Sequence, residues 1–301
     1  MKTKDRRFIA ADVLLLALVI LPMVTALVIK ILFSPAGEGI SITGALVYFT
    51  IPMPLQDLPI SEAQVNSALV LIAIFGLCLY LTHGIRARVQ TRRQLLVEWA
   101  VEKLENMIKD SMGDFFAGYA PFIAAILLLS ALSSLSSLLG IYPPTSDLNV
   151  VLGWSILVFI LITYYKLKGG VANYAKGFLE PIPVMLPLNI LGEVATPVSM
   201  AFRHYGNVLS GSVIAVLVAA ALQGLSGLVL GWLPGVLAEI PLFRVGIPAV
   251  LSIYFDVFSG CMQAYIFAML TMLNISGGFP QEEYEKRKLK KLAKKETLKL
   301  N

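Results

Sequence analysis

Six stretches of this chain stay apolar for longer than a soluble core helix needs. They run over residues 8–33, 65–81, 115–139, 150–165, 184–222 and 245–273. About 20 mostly apolar residues cross a bilayer as a helix, and a helix satisfies its own backbone where no water can. Charged residues make up 14% of the chain against 57% hydrophobic, roughly half the charged share of a soluble domain. The pattern predicts an all-α polytopic membrane protein with about six membrane helices. The fifth stretch is too long for one upright crossing and the sixth is generous, so the last two helices are expected to be long and tilted. Between them, "QGLSGLVLGWLPGVLAEIPLF" (223–243) is apolar but rich in Gly and Pro. It is expected to pack near the outer interface and not to form a clean extra helix.

Lys and Arg set the orientation. Lys2, Lys4, Arg6 and Arg7 precede the first stretch, and Arg86, Arg88, Arg92 and Arg93 follow the second. Lys166, Lys168 and Lys176 follow the fourth, and the tail "EKRKLKKLAKKETLK" follows the sixth. Loops 34–64 and 140–149 hold no Lys or Arg, and 223–244 holds only Arg244. This alternation places both termini in the cytoplasm of a multi-pass plasma-membrane protein. The net charge of +5 is thereby assigned to membrane sidedness, and nucleic acid is not an expected partner.

Residues 1–34 are expected to be a retained N-terminal anchor. A basic start before an apolar run also suits a secretory signal, but this run is long and holds Lys30 late. Residues 35–64 are an external segment. Residues 86–112 are charged and amphipathic, with Leu95, Leu96, Trp99, Leu104 and Ile108 able to share a face, as in a helix lying on the cytoplasmic surface. Cys78 and Cys261 sit inside apolar runs and call for neither a disulfide nor a metal.

Arg203 and His204 stand side by side in the fifth apolar stretch. An arginine at mid-membrane costs from about 3 to well over 10 kcal/mol, so a functional use is the first expectation. Ser199, Arg203 and Asn207 follow at i, i+4 and i+8 and share a face, while Gly206, Ser210 and Gly211 strip bulk nearby and admit a close neighbour. On the predicted topology Glu193 lies inward of Arg203 and Ser212 outward. On the sixth stretch Asp256 lies outward of Gln263, and Asp147 sits at the outer mouth. Two polar zones result, with Arg203 between them. A guanidinium keeps its protons, so it serves as a fixed positive barrier or as a lure for a mobile carboxylate, not as a carrier.

At these residues the chain resembles subunit a of F-type ATP synthases, the bacterial form. The resemblance rests on "PLNILGEVATPVSMAFRHYGNVLSGSVI", "PTSDLNVVLGWSI" and "YFDVFSGCMQAYIFAMLTMLNIS", three blocks in order across about residues 49–275. It implies a core over 65–278, whose last two helices (about 184–276) form a hairpin against a c-ring, and a basic cytoplasmic tail over 279–301. Arg203 would face the c-ring carboxylate, with Asn207 and Gln263 beside it. Asp256 would serve the outer half-channel and Glu193 the inner. Ser212 stands where many members have Glu, an acid that Asp256 can supply from the facing helix. His204 replaces the usual Leu and is expected to be a lateral, non-essential variant, or to exert a local pKa or hydrogen-bonding effect. The implied partners are the c-ring, peripheral-stalk b subunits and the lipid bilayer. No cofactor is called for and the chain is not catalytic alone, since it has no Walker loop. A secondary transporter with Arg203 binding an anion is the alternative; such folds often carry two related halves, and no internal repeat is visible here.

Overall fold

The computed structural model describes residues 2–33, 44–54, 56–85, 91–179, 182–230, 250–251, 253–282 and 284–285. Helix α1 (Lys2–Phe33) is apolar over most of its length, with Pro22 inside it. Its flank, including Leu14, Leu21 and Ile31, is exposed, as suits a helix surrounded by lipid. It leads to a strand pair, β1 (Val47–Ile51) antiparallel to β2 (Leu58–Ser61). The segment expected to be external, 35–64, thus contains regular structure that the sequence reading did not specify. Helix α2 (Glu62–Thr82) follows β2 directly. Its start is held by the Ser61 backbone N–H, which donates to Gln64 Oε1 at 3.0 Å, the reciprocal half of a capping box.

Helix α1 packs along α2 and is fixed at both ends. Asp12 accepts from Arg93 at 3.2 Å and lies 2.8 Å from His83 Nδ1. Phe8 stacks on the His83 ring, and the Arg93 guanidinium lies over Tyr80. At the far end Lys30 Nζ donates to the Gly140 carbonyl at 2.6 Å. Midway, a Cβ added to Gly76 would stand 3.0 Å from the Leu18 backbone carbonyl carbon. Backbone cannot rotate aside, so Gly76→Val is expected to force α1 away. The overpacking cost is about 1–3 kcal/mol, to be read as a lower unfolding temperature of the chain in detergent.

Helix α3 (Arg92–Met112) is capped by Thr91, whose hydroxyl accepts from the Gln94 N–H, and ends at Gly113, whose φ of +82° suits glycine. Ile108 and Met112 are buried and Leu104 packs on the core, whereas Leu95, Leu96 and Trp99 are exposed. The five apolar residues therefore split into a packing pair and an open patch.

A 3₁₀ turn (Asp114–Tyr119) opens helix α4 (Ala120–Leu135). Helix α5 (Leu148–Lys168) is capped by Asp147, which accepts from the Asn149 N–H at 2.9 Å, and carries Lys166 and Lys168 in its last turn, where positive charge complements the helix dipole. Short α6 (Val171–Gly177) precedes α7 (Leu186–Leu230). At 45 residues and 1.5 Å per residue, α7 is about 68 Å long, twice the hydrocarbon core of a bilayer, longer than one upright crossing needs. The Gly/Pro-rich stretch expected to be irregular thus begins as helix, since 223–230 belong to α7. The rest of it, 231–243, lies outside the described residues, as does most of the basic tail. A π-helical turn (Ile253–Ser259) enters α8 (Gly260–Gly277).

The predicted fold class holds: an all-α polytopic membrane protein in which six helices are long and apolar enough to cross a bilayer. The core gathers Ile108, Phe116, Ile123, Val158, Met200 and Phe267, among others, where α4, α5, α7 and α8 meet. It leaves one flank of α7 open.

Candidate functional site

That open flank carries Arg203. Along α7, Ser199, Arg203 and Ser210 are exposed and Asn207 is half-buried. Among the described residues no carboxylate pairs with Arg203. One residue on, about 100° around the helix, His204 turns into the core and is wholly buried. Its Nε2 lies 3.4 Å from Ser130 Oγ, and the edges of Trp154 and Phe267 enclose the ring. The adjacent pair in the sequence is therefore split between the open flank and the core.

On the C-terminal side of Arg203, α7 meets the π-helical turn. Asn207 Nδ2 donates to Ser259 Oγ at 2.7 Å. Gly211 allows a close approach there: an added Cβ would stand 3.1 Å from the Phe255 ring. π-helical turns gather at functional positions in helices, and this one presents Asp256. Asp256, Ser212, Ser134 and Ser137 line one small cavity of about 20 Å³, room for about one water. Gln263 does not line it. It is buried on α8 beside Gly260, Ala264 and Phe267. Asp147 is committed to capping α5. Near it Tyr142, whose hydroxyl donates to the Ser146 carbonyl, has its phenol pushed up by burial and next by the Asp147 charge.

Toward the other end of α7, Glu193 is clasped by Lys166. Nζ donates to both carboxylate oxygens at 2.7 Å, and the Tyr174 hydroxyl donates to Oε1 at 3.2 Å. Burial, and next the Glu193 charge, push the Tyr174 phenol up, so it stays a donor. A cavity of about 710 Å³ opens on one side of this cluster, lined by α6 and the first turns of α7, with Lys176 and Asn189 at its wall. A second of about 220 Å³ lies deeper, lined by Phe159, Ile162, Thr196 and Asn274. Lys166, Glu193 and Gly278 line both.

Of the sequence-predicted residues, Ser212 and Asp256 converge on one cavity, Arg203 and Asn207 share a face of α7, and Glu193 stands apart at two others. Lys166, Tyr174 and Ser259 were not anticipated as site residues. Lys166 was legible only as a charge marking membrane sidedness, since it stands 27 residues before Glu193.

The ATP synthase A chain family matches residues 65–276. "ATP synthase subunit a" of Bacillus pumilus is 31% identical over 70% of this chain and 90% of its own length. "ATP synthase subunit a, sodium ion specific" of Propionigenium modestum is 27% identical over 81% of this chain and 88% of its own. "ATP synthase subunit a" of Legionella pneumophila is 25% identical over 80% and 95%.

Proposed function

The chain belongs to the ATP synthase A chain family, and we propose that it conducts ions as the stator of the membrane sector, through two half-channels serving a carboxylate on a rotating c-ring. The observation that supports this most is the placement of Arg203. It is exposed on the open flank of α7 with no partner in its own chain among the described residues, between polar cavities toward either end of the helix.

A c-ring carboxylate passing this flank is drawn to the guanidinium when empty and released from it when loaded. Toward the outer side, Asp256 and Ser212, with Asn207 beside Arg203, form the loading path. Toward the cytoplasmic side, Glu193 and the large cavity form the unloading path. Gln263, buried on α8, serves beside Arg203, and Asp147 stands at the outer mouth, where it caps α5. Arg203 blocks direct passage between the two paths, so an ion crosses only by riding the ring. Each elementary charge moved across 100 mV supplies about 2.3 kcal/mol, and several such steps accumulate per nucleotide. Phosphorylation chemistry belongs to partner subunits, with b subunits anchoring this chain and both termini in the cytoplasm.

Side-resolved labelling tests the two paths. With Cys78 and Cys261 replaced by alanine, Ser212→Cys in the assembled complex should react with a membrane-impermeant thiol reagent from the outer side only, and Leu188→Cys from the cytoplasmic side only. Ser212→Cys reacting from the cytoplasmic side would sink the two-path arrangement.

A further inference from the structure

We propose that the Lys166–Glu193 ion pair is a gate across the inner half-channel, closed as the structure shows it, and that Lys166 sets this gate against metal cations. The proposal rests on the half-channel function. Its geometric basis is that the two inner cavities, about 710 and 220 Å³, share Lys166 and Glu193 in their walls. An ion moving from the deep chamber to the large vestibule passes this pair.

The pair is well made. Both Glu193 oxygens take Nζ at 2.7 Å, and the two side chains are only 16% and 27% exposed. Tyr174 holds the carboxylate from a third direction. A sodium ion reaching this neck needs oxygen ligands, and Glu193, the one carboxylate among the described residues lining the two cavities, is already held by an ammonium that repels the ion. A proton meets no such obstacle. It adds to a Glu193 oxygen and makes the carboxyl neutral, and the ammonium then has no anion to hold and swings toward the vestibule. The same proton leaves Glu193 for vestibule water, the carboxylate reforms, and Lys166 closes on it. One proton arrives, one departs, and Lys166 keeps its charge throughout. Lys166 thus acts through Glu193 as a positioning residue.

The two cavities give the test, in the assembled complex lacking Cys78 and Cys261. Leu188→Cys stands in the vestibule and Thr196→Cys in the deep chamber. With Lys166 present, a small cationic thiol reagent from the cytoplasmic side should label Thr196→Cys about tenfold or more slowly than Leu188→Cys, because the open gate is a minor population. Equal rates overturn the gate, and this comparison needs no change at Lys166. Adding Lys166→Gln should bring Thr196→Cys up to the Leu188→Cys rate and make proton flux through the membrane sector fall as sodium is added on that side. Lys166→Arg should keep flux indifferent to sodium. Sodium indifference in Lys166→Gln overturns the role of Lys166. Arg203→Ala separates the two levels: if it leaves ion-driven ATP synthesis intact, the half-channel function itself falls. If it abolishes synthesis while Thr196→Cys, with Lys166 present, labels as fast as Leu188→Cys, only the gate falls.

Discussion

Arg203→Ala is expected to reduce ion-driven ATP synthesis below detection while the complex still assembles. Arg203 is exposed and makes no ion pair with any described residue, so its loss breaks no ion pair among the described residues. Substitutions at such positions usually change stability by no more than about 0.5 kcal/mol. Transport fares differently. An empty c-ring carboxylate facing α7 would lose the charge that stabilises it in a medium where a lone charge costs about 3 kcal/mol or more. The barrier between the two polar zones would vanish as well, and ions could pass without turning the ring. Arg203→Lys keeps a positive charge but loses the planar fork that engages a carboxylate with two parallel hydrogen bonds, so it should restore only a small part of the rate. Synthesis at the wild-type rate in Arg203→Ala, measured with a respiratory substrate and luciferase, would refute the barrier. Failure of the variant to co-purify with a c-ring would show that Arg203 holds the assembly together instead.

What the sequence disclosed depended on the range of the interaction. The six crossings were legible because apolar length is a local property. The face shared by Ser199, Arg203 and Asn207 was legible because it follows from helix pitch alone. Pairing between helices was not. Lys166 and Glu193 are 27 residues apart, and nothing in either local sequence says that the end of α5 meets the start of α7. The burial of His204 follows from an angle, about 100° from Arg203, but only once the open side of α7 is known. Asp147 was read for its charge, and the structure uses it as a helix cap. The π-helical turn at Ile253–Ser259 has no composition signal, for Tyr254, Phe255 and Phe258 suit an ordinary membrane helix equally well. It is a tertiary effect, one extra residue per turn at the place where α7 and α8 come together.

Asp256→Asn is expected to slow ion-driven synthesis about 10²-fold, the scale of one positioned proton-transfer group. Asp256 is the acid among the eight residues lining the small cavity between α7 and the π-helical turn. Three of the others, Ser134, Ser137 and Ser212, supply hydroxyls, which can pass a proton along but cannot hold it as a carboxylate can. An amide of nearly the same size keeps the packing and removes the ionisable group, so assembly should be unaffected. The cavity also indicates where a replacement acid belongs. Ser212 lines it from α7 while Asp256 lines it from the π-helical turn, so Asp256→Asn with Ser212→Asp moves the carboxylate across the cavity without adding charge. This double variant should recover most of the lost rate, and Ser212→Asp alone should not exceed wild type, since two like charges in a space that holds about one water repel. Rescue by Ser212→Asp but not by an acid at Ser210, which is exposed and does not line the cavity, would locate the outer path in this cavity. Equal rescue from both positions would mean that any nearby negative charge suffices, and that the cavity itself is not the path.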